Sequence, residues 1–207
     1  MTTPSDHPDH ASYRATGFGN RIGWGHRPAL LLIDVCTAYW IPGSPLDTSS
    51  NPASAASPEV MKRLLAAARS SQIPVIWTQV SYRKGMRDAG LFYAKSKQLS
   101  VWEEGNVRGY DAVVPGLEPA EGEEVVVKRH PSAFFGTELA GTLHLMQVDT
   151  LVICGVVGTA CGDRSPAIHD ANLFDMDAKM ADVVTEEEAI KHLKAGWSAN
   201  AQRNGQH

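Results

Sequence analysis

The sequence predicts an α/β fold built on a parallel sheet, and three observations carry that reading. Four short segments are continuously apolar and rich in β-branched residues: PALLLIDV at Pro28 to Val35, IPVIWTQV at Ile73 to Val80, EVVVK at Glu124 to Lys128, and DTLVICG at Asp149 to Gly155. Such runs, without a polar residue at every second position, suit strands buried on both faces, which is the situation in a parallel sheet. Helical patterns separate the strands, and the stretch Thr137 to Met146 joins the last two through short turns as a β-α-β unit. At 207 residues the chain is most simply one domain with a proper core.

Taken in order, residues 1–14 are polar and carry Pro4, Pro8 and two histidines, His7 and His10, so they read as a disordered tail ahead of a single domain over 15–207. The arm TGFGNRIGWGH is glycine-rich, but it precedes the first strand. A dinucleotide fingerprint needs its glycines between a strand and a helix, so this is a packed arm and not a phosphate cradle. After the first strand comes a loop rich in Pro, Gly and Ser, then a helix over Pro58 to Arg69 with Ser57 as its N-cap and Pro at its first turn. The second strand leads into a basic stretch with Arg83, Lys84 and Arg87, read as a solvated loop in preference to an anion site. Near the end, Asn172 to Met176 reads as a packed turn, Thr185 to Lys194 as a helix capped by Thr185 with acids in its first turn and cations in its last, and the closing segment as frayed. His169 and His192 read as surface or cap residues.

Composition removes several classes of function. A net charge of -4 with both signs interspersed offers no basic face, so neither nucleic acid nor a membrane surface is an expected partner. No apolar run approaches the ~20 residues of a membrane span, and the amino terminus lacks a signal-peptide core. The three cysteines, Cys36, Cys154 and Cys161, cannot all pair, which fits a reducing, cytoplasmic setting.

The chemistry gathers at the strand ends. The first strand runs into Asp34, the third ends in Lys128, and the fourth leads through GVVGTA to Cys161. In a parallel sheet all three ends face one edge, where open α/β sheets bind their ligands. A cysteine after a strand is by itself as well read as a small buried hydrophobe. Together with a carboxylate and an ammonium, however, it completes a nucleophilic acyl-transfer site: the cation favours thiolate, the carboxylate takes the thiol proton, and amides of the small-residue loop hold an oxyanion.

The combination resembles the isochorismatase-like cysteine hydrolases, and among them the N-carbamoylsarcosine amidohydrolase and maleamate amidohydrolase group. The matching pieces run through most of the chain: GFGNRIGWGHRPALLLIDV, IPVIWTQVSY, FYAK leading to VPGLEP, VVVKRHPSAFFGT, LMQVDTLVICGV and HDANLFDMDAKMADVV. The resemblance implies a three-layer α/β/α fold, a mostly parallel sheet with helices on both faces, and a homo-oligomer. It implies hydrolysis of a small amide or N-carbamoyl compound, with release of ammonia through a thioester. Residue by residue, it makes Asp34 the general base, Lys128 the catalytic lysine, Cys161 the nucleophile, and the amides of Val157 and Cys161 the oxyanion hole, with a cis peptide at Val156-Val157. The metal-binding nicotinamidases of the family carry an Asp-x-His pair where this chain reads WTQVSYRKG, so neither a metal nor a cofactor is expected.

The chain departs from the pattern after Cys161. Relatives continue into a helix that opens at the cysteine and then a further strand, whereas here Cys161 runs directly into Gly162-Asp163-Arg164-Ser165-Pro166. A helix and a strand, roughly 20 residues by ordinary element lengths, are missing, and the polar run GDRSP does not suit a helix opening at the thiol. The fourth strand would then lose a neighbour. A second reading follows, in which the protein is a catalytically weakened or inactive relative that acts by binding or oligomerising.

Overall fold

A computed structural model describes residues 4–155 and 165–197 of the chain. Four strands form where the apolar runs predict them: β1 Pro28–Ile33, β2 Val75–Val80, β3 Glu124–Lys128 and β4 Thr150–Gly155. They lie in the order β3-β2-β1-β4 with every neighbouring pair parallel. The described helices are α1 His10–Ala15, α2 Pro52–Ser70, α3 Gly90–Lys95, α4 Leu139–Leu145, α5 Pro166–Lys179 and α6 Glu186–Ala195.

The period of two along a strand sends alternate side chains to opposite faces. Leu30 and Leu32 of β1, with Val75 and Trp77 of β2 and Val152 and Cys154 of β4, meet Met61, Leu64, Leu65 and Ala68 of α2 and Leu193 of α6. Ala29, Leu31, Ile76 and Val126 point the other way, against Leu139 and Leu143 of α4. Helices therefore cover both faces, as the α/β/α reading requires. Each fully buried leucine contributes about 1.5–3 kcal/mol, and Leu30, Leu31 and Leu32 together make β1 the centre of the core. A third apolar cluster, with Cys36, Tyr39, Tyr82, Leu99 and Trp102, is built from the segments that follow β1 and β2. It lies beyond the carboxyl ends of those strands, and there it forms a wall.

The helix expected over Pro58 to Arg69 begins six residues earlier, at Pro52, and its N-cap is Asn51, whose side chain accepts from the Ala53 amide at 3.1 Å. Ser57 is buried within α2 and does not cap it. Pro58 lacks the N–H that would bond the Ser54 carbonyl, and the structure supplies substitutes: that carbonyl accepts from Ser57 Oγ at 2.7 Å and from Trp40 Nε1 at 2.9 Å. A proline that reads as a helix start is accommodated inside the helix because an indole from another segment satisfies the orphaned acceptor.

Two other segments differ from the reading of local composition. Residues 4–15 form a short 3-10 turn, Pro4–Asp6, followed by α1, where composition suggests disorder. His7 stacks on Phe174 of α5 at 4.0 Å between ring centroids, and Tyr13 meets the same ring edge-on at 5.0 Å. That tertiary partner lies 167 residues from His7 and 161 from Tyr13, beyond the reach of any local pattern. Asn172 to Met176, expected as a turn, falls within α5, and His169 on the same helix is buried and not at the surface. Ser165 holds the N-cap position with Pro166 at the first turn, so α5 opens at Pro166. The helix over Glu186–Ala195 matches its prediction, with Thr185 accepting from the Glu188 amide at 3.2 Å. Trp197, placed by sequence in a frayed end, donates to the Pro28 carbonyl at 2.8 Å. Among the described residues β4 is an edge strand, and its Ile153 is 48% exposed.

Candidate active site

β1 stops at Ile33, and the next residue, Asp34, turns into the left-handed region at φ 53°. A non-glycine residue there carries strain that its surroundings must hold. Thr78 of β2 does so: the Asp34 amide donates to the Thr78 carbonyl and to Thr78 Oγ1, each at 3.1 Å. The Thr78 hydroxyl in turn donates to Asp34 Oδ1 at 2.6 Å. The other carboxylate oxygen, Oδ2, receives Lys128 Nζ at 2.8 Å. Lys128 also donates to the Pro131 carbonyl at 2.9 Å.

Lys128 lies on β3 and Asp34 follows β1, with β2 between them. Two strand spacings amount to about 9–10 Å, a span that calls for a long side chain. The Lys128 side chain is 3% exposed and the Asp34 side chain 11%. Removing two charges from water costs several kcal/mol per ion, which their attraction and added hydrogen bonds only just offset. A stable fold does not need such a pair at this position, which makes the two residues candidates for a functional role.

The chain leaves β4 beside this pair. Gly155 is in register with Ile33 at φ 121°, and a Cβ there would lie 2.3 Å from the Ile33 carbonyl oxygen. Glycine at the end of β4 lets the two backbones close together one residue before Asp34. In the order β3-β2-β1-β4 the chain changes direction across β1 and β4, the position at which α/β sheets open a crevice. A cleft at this edge is lined by Asp34, Cys36, Thr78, Trp102, Asp111 and Val113, among others.

Of the residues predicted for the site, Asp34 and Lys128 come together. Val157 and Cys161, the Val156-Val157 peptide and the loop that carries them lie outside the described residues. The other two thiols are poor nucleophiles. Burial pushes Cys154 up to about 12. Burial likewise pushes Cys36 up to about 11, despite a hydrogen bond from Trp102 Nε1 at 3.4 Å that favours the thiolate. Arg83, Lys84 and Arg87 are exposed, as expected of a solvated loop. Among the described residues no three of His, Cys, Asp and Glu converge as a metal site would need.

Sequence reasoning missed Thr78, and with it the wall supplied by Trp102 and the cleft residue Asp111. Thr78 stands in an apolar strand, where a threonine reads as an ordinary β-former. Its one signal is its position, third from the end of the same run that sequence assigns to the second strand.

The chain matches the Isochorismatase domain over residues 28–161. It is 36% identical over 200 residues to maleamate amidohydrolase of Pseudomonas putida, across 86% of this chain and 92% of that protein. N-carbamoylsarcosine amidase of an Arthrobacter species is 32% identical over 215 residues, across 88% of this chain and 77% of the relative. Among solved structures, a cysteine hydrolase from Pseudomonas syringae pv. phaseolicola superimposes with a TM-score of 0.72, covering 85% of this chain and 98% of that one at 19% identity. That last likeness concerns the fold.

Proposed function

The chain belongs to the isochorismatase family, and on that premise we propose that it is an amidohydrolase, a hydrolase of carbon–nitrogen bonds outside peptides, that works through a cysteine nucleophile. The single observation that supports this most is the buried Asp34–Lys128 pair, held at 2.8 Å at the edge where the chain leaves β4. In this reading Asp34 takes the proton of Cys161, and Lys128 stabilises the resulting thiolate. The thiolate forms a bond to the carbonyl or carbamoyl carbon, while the carbonyl oxygen takes the negative charge under the amides of Val157 and Cys161. Collapse breaks the carbon–nitrogen bond. Asp34 returns the proton to the leaving nitrogen, and ammonia departs from a thioester. Asp34 then accepts a proton from water, whose oxygen attacks the thioester; collapse breaks the carbon–sulfur bond and releases the acid, and Asp34 returns the proton to the thiolate to restore the free thiol.

The substrate class is a small amide or N-carbamoyl compound. It rests on the two amidohydrolase relatives and on the modest cleft at this edge. A cytoplasmic homo-oligomer belongs to the same reading and rests on the family resemblance. The test is ammonia release by the purified protein across N-carbamoyl amino acids, maleamate and aromatic amides, beside a Cys161→Ala control. Release that vanishes in the control is the expected result; release that persists in it removes Cys161 from the mechanism.

A second reading, a weakened relative that serves by binding or self-association, has its own observation. The 200 positions aligned with the Pseudomonas putida protein take up 86% of the 207 residues, about 178, which leaves about 22 positions where this chain has no residue. A helix and a strand after Cys161 would account for a gap of that size. No ammonia from a folded, monodisperse sample favours this reading, and restoring the missing helix and strand is then the direct test.

A further inference from the structure

We propose that Thr78 is a positioning residue that sets the plane of the Asp34 carboxylate, so that the general base works only with the Thr78 hydroxyl in place. The catalytic consequence rests on the amidohydrolase reading; the hold on Asp34 rests on geometry alone.

A hydroxyl has one proton to give and lone pairs to receive. Thr78 Oγ1 receives the Asp34 amide at 3.1 Å and gives its proton to Asp34 Oδ1 at 2.6 Å. Because the backbone donor occupies a lone pair, the hydroxyl proton is directed at the carboxylate. One side chain thus grips Asp34 at both its main chain and its carboxylate, and it does so at the residue whose backbone is left-handed at φ 53°. Thr78 is itself 4% exposed, and a β-branched side chain has little freedom at χ1.

Lys128 alone would leave the carboxylate free to swing, since the terminal torsion of an aspartate is broad and roughly two-fold. With Lys128 on Oδ2 and Thr78 on Oδ1, both oxygens are held and the plane is set. The remaining lone pairs then point in fixed directions, and a thiol proton can be taken only along them.

The experiment compares the wild-type chain with Thr78→Val, which keeps the shape and removes the hydroxyl, and with Thr78→Ser, which keeps the hydroxyl. Carbon-13 NMR follows the titration of the Asp34 carboxyl, assigned by its loss in Asp34→Asn, and ammonia release gives kcat and KM against pH. In Thr78→Val the Asp34 carboxyl titration and the acid limb of kcat/KM both depart from those of the wild type. The same variant loses roughly tenfold to a hundredfold in kcat with KM nearly unchanged, as expected for a misplaced reacting group. Thr78→Ser restores all three. A Thr78→Val protein that melts earlier but keeps the wild-type titration and acid limb overturns the proposal and leaves Thr78 a packing residue. If Thr78→Val does not fold, Thr78→Ala carries the same comparison. Absence of ammonia release from the wild type defeats the amidohydrolase reading, while the carboxyl titration, which needs no substrate, still decides the role of Thr78.

Discussion

Asp34 and Asp149 stand at opposite ends of neighbouring strands, and the same functional group is used in different ways. Asp149 precedes β4 at the amino edge. Its Oδ2 accepts from the His26 amide and its Oδ1 from the Arg27 amide, each at 2.8 Å, with Thr150 Oγ1 adding a third donor at 3.0 Å. These amides and the hydroxyl do not titrate in the working range, so the carboxylate is a staple that fastens the incoming arm to the sheet. Asp34 follows β1 at the carboxyl edge and holds an ammonium, in a buried setting beside a cleft. A carboxylate satisfied by main-chain amides fixes a backbone, whereas the Asp34 carboxylate is held by two side chains from other strands, Thr78 and Lys128.

The sharpest way to break this comparison is to remove a partner at the carboxyl edge. Lys128→Met leaves the Asp34 carboxylate buried without its cation, a change that costs about 3–5 kcal/mol. It should lower the denaturation midpoint strongly in a chemical-denaturant titration and, on the proposed mechanism, abolish ammonia release. An unaltered midpoint would mean that the pair is not held as the structure shows.

At the amino edge the largest effect expected is steric. A Cβ on Gly25 would lie 2.4 Å from both Asp149 Oδ1 and Thr150 Oγ1, so Gly25→Ala must push the arm off its staple. Overpacking of this kind costs about 1–3 kcal/mol, measurable as a lowered melting temperature with turnover per folded molecule preserved. Asp149→Ala, which removes the acceptor, should cost less, about 1–2 kcal/mol after discounting hydrogen bonds at an exposed residue.

The Asp149 staple also makes a pH prediction. Partial burial raises this carboxyl, but the His26 and Arg27 amides outweigh that and hold it below the ordinary value of 3.8. A group whose acidity is strengthened by folding contributes stability above its unfolded value and loses that contribution as the pH falls through the folded one. The contribution of Asp149 is therefore whole at neutral pH and disappears in acid below about pH 3.8. Asp149→Ala should narrow the gap in stability between neutral and acid conditions; an unchanged gap would show that the arm is held by other contacts.

The smallest effect concerns the thiols. With Cys36 raised to about 11 and Cys154 to about 12 by burial, iodoacetamide at neutral pH should leave both unmodified in the native protein and label them only after unfolding. Peptide mapping reads this directly. Rapid native labelling of Cys36, which lies beside Asp34 in the cleft, would contradict the burial that raises it.

Several features follow from residue pattern alone. Continuous apolar runs locate all four described strands to within about two residues at their ends, although only β1 and β2 are buried along nearly their whole length, while Val125 and Val127 of β3 and Ile153 of β4 are exposed at the sheet edges. The Thr185 cap is legible because its acceptor and its donor, the Glu188 amide, are three residues apart. Asp34 and Lys128 are legible as candidates because each sits at the end of a run. Pro58 misleads because the group that excuses it, the Trp40 indole, arrives from a separate loop. The amino-terminal helix and α5 mislead for the same reason, since Phe174 meets His7 and Tyr13 only once the chain is folded.

By itself, then, the sequence determined the elements: which segments are strands, where most helices lie, and which ionisable residues stand at strand ends. Those are consequences of local periodicity and burial, which every residue carries with it. The tertiary structure alone decided which elements are neighbours. It placed β2 between β1 and β3, so that Lys128 must reach across it to Asp34, and it made Thr78 the residue that grips Asp34 from the middle strand. Pairings of that kind join residues 44 positions apart or more, and their energy comes from burial and geometry created only when the sheet assembles.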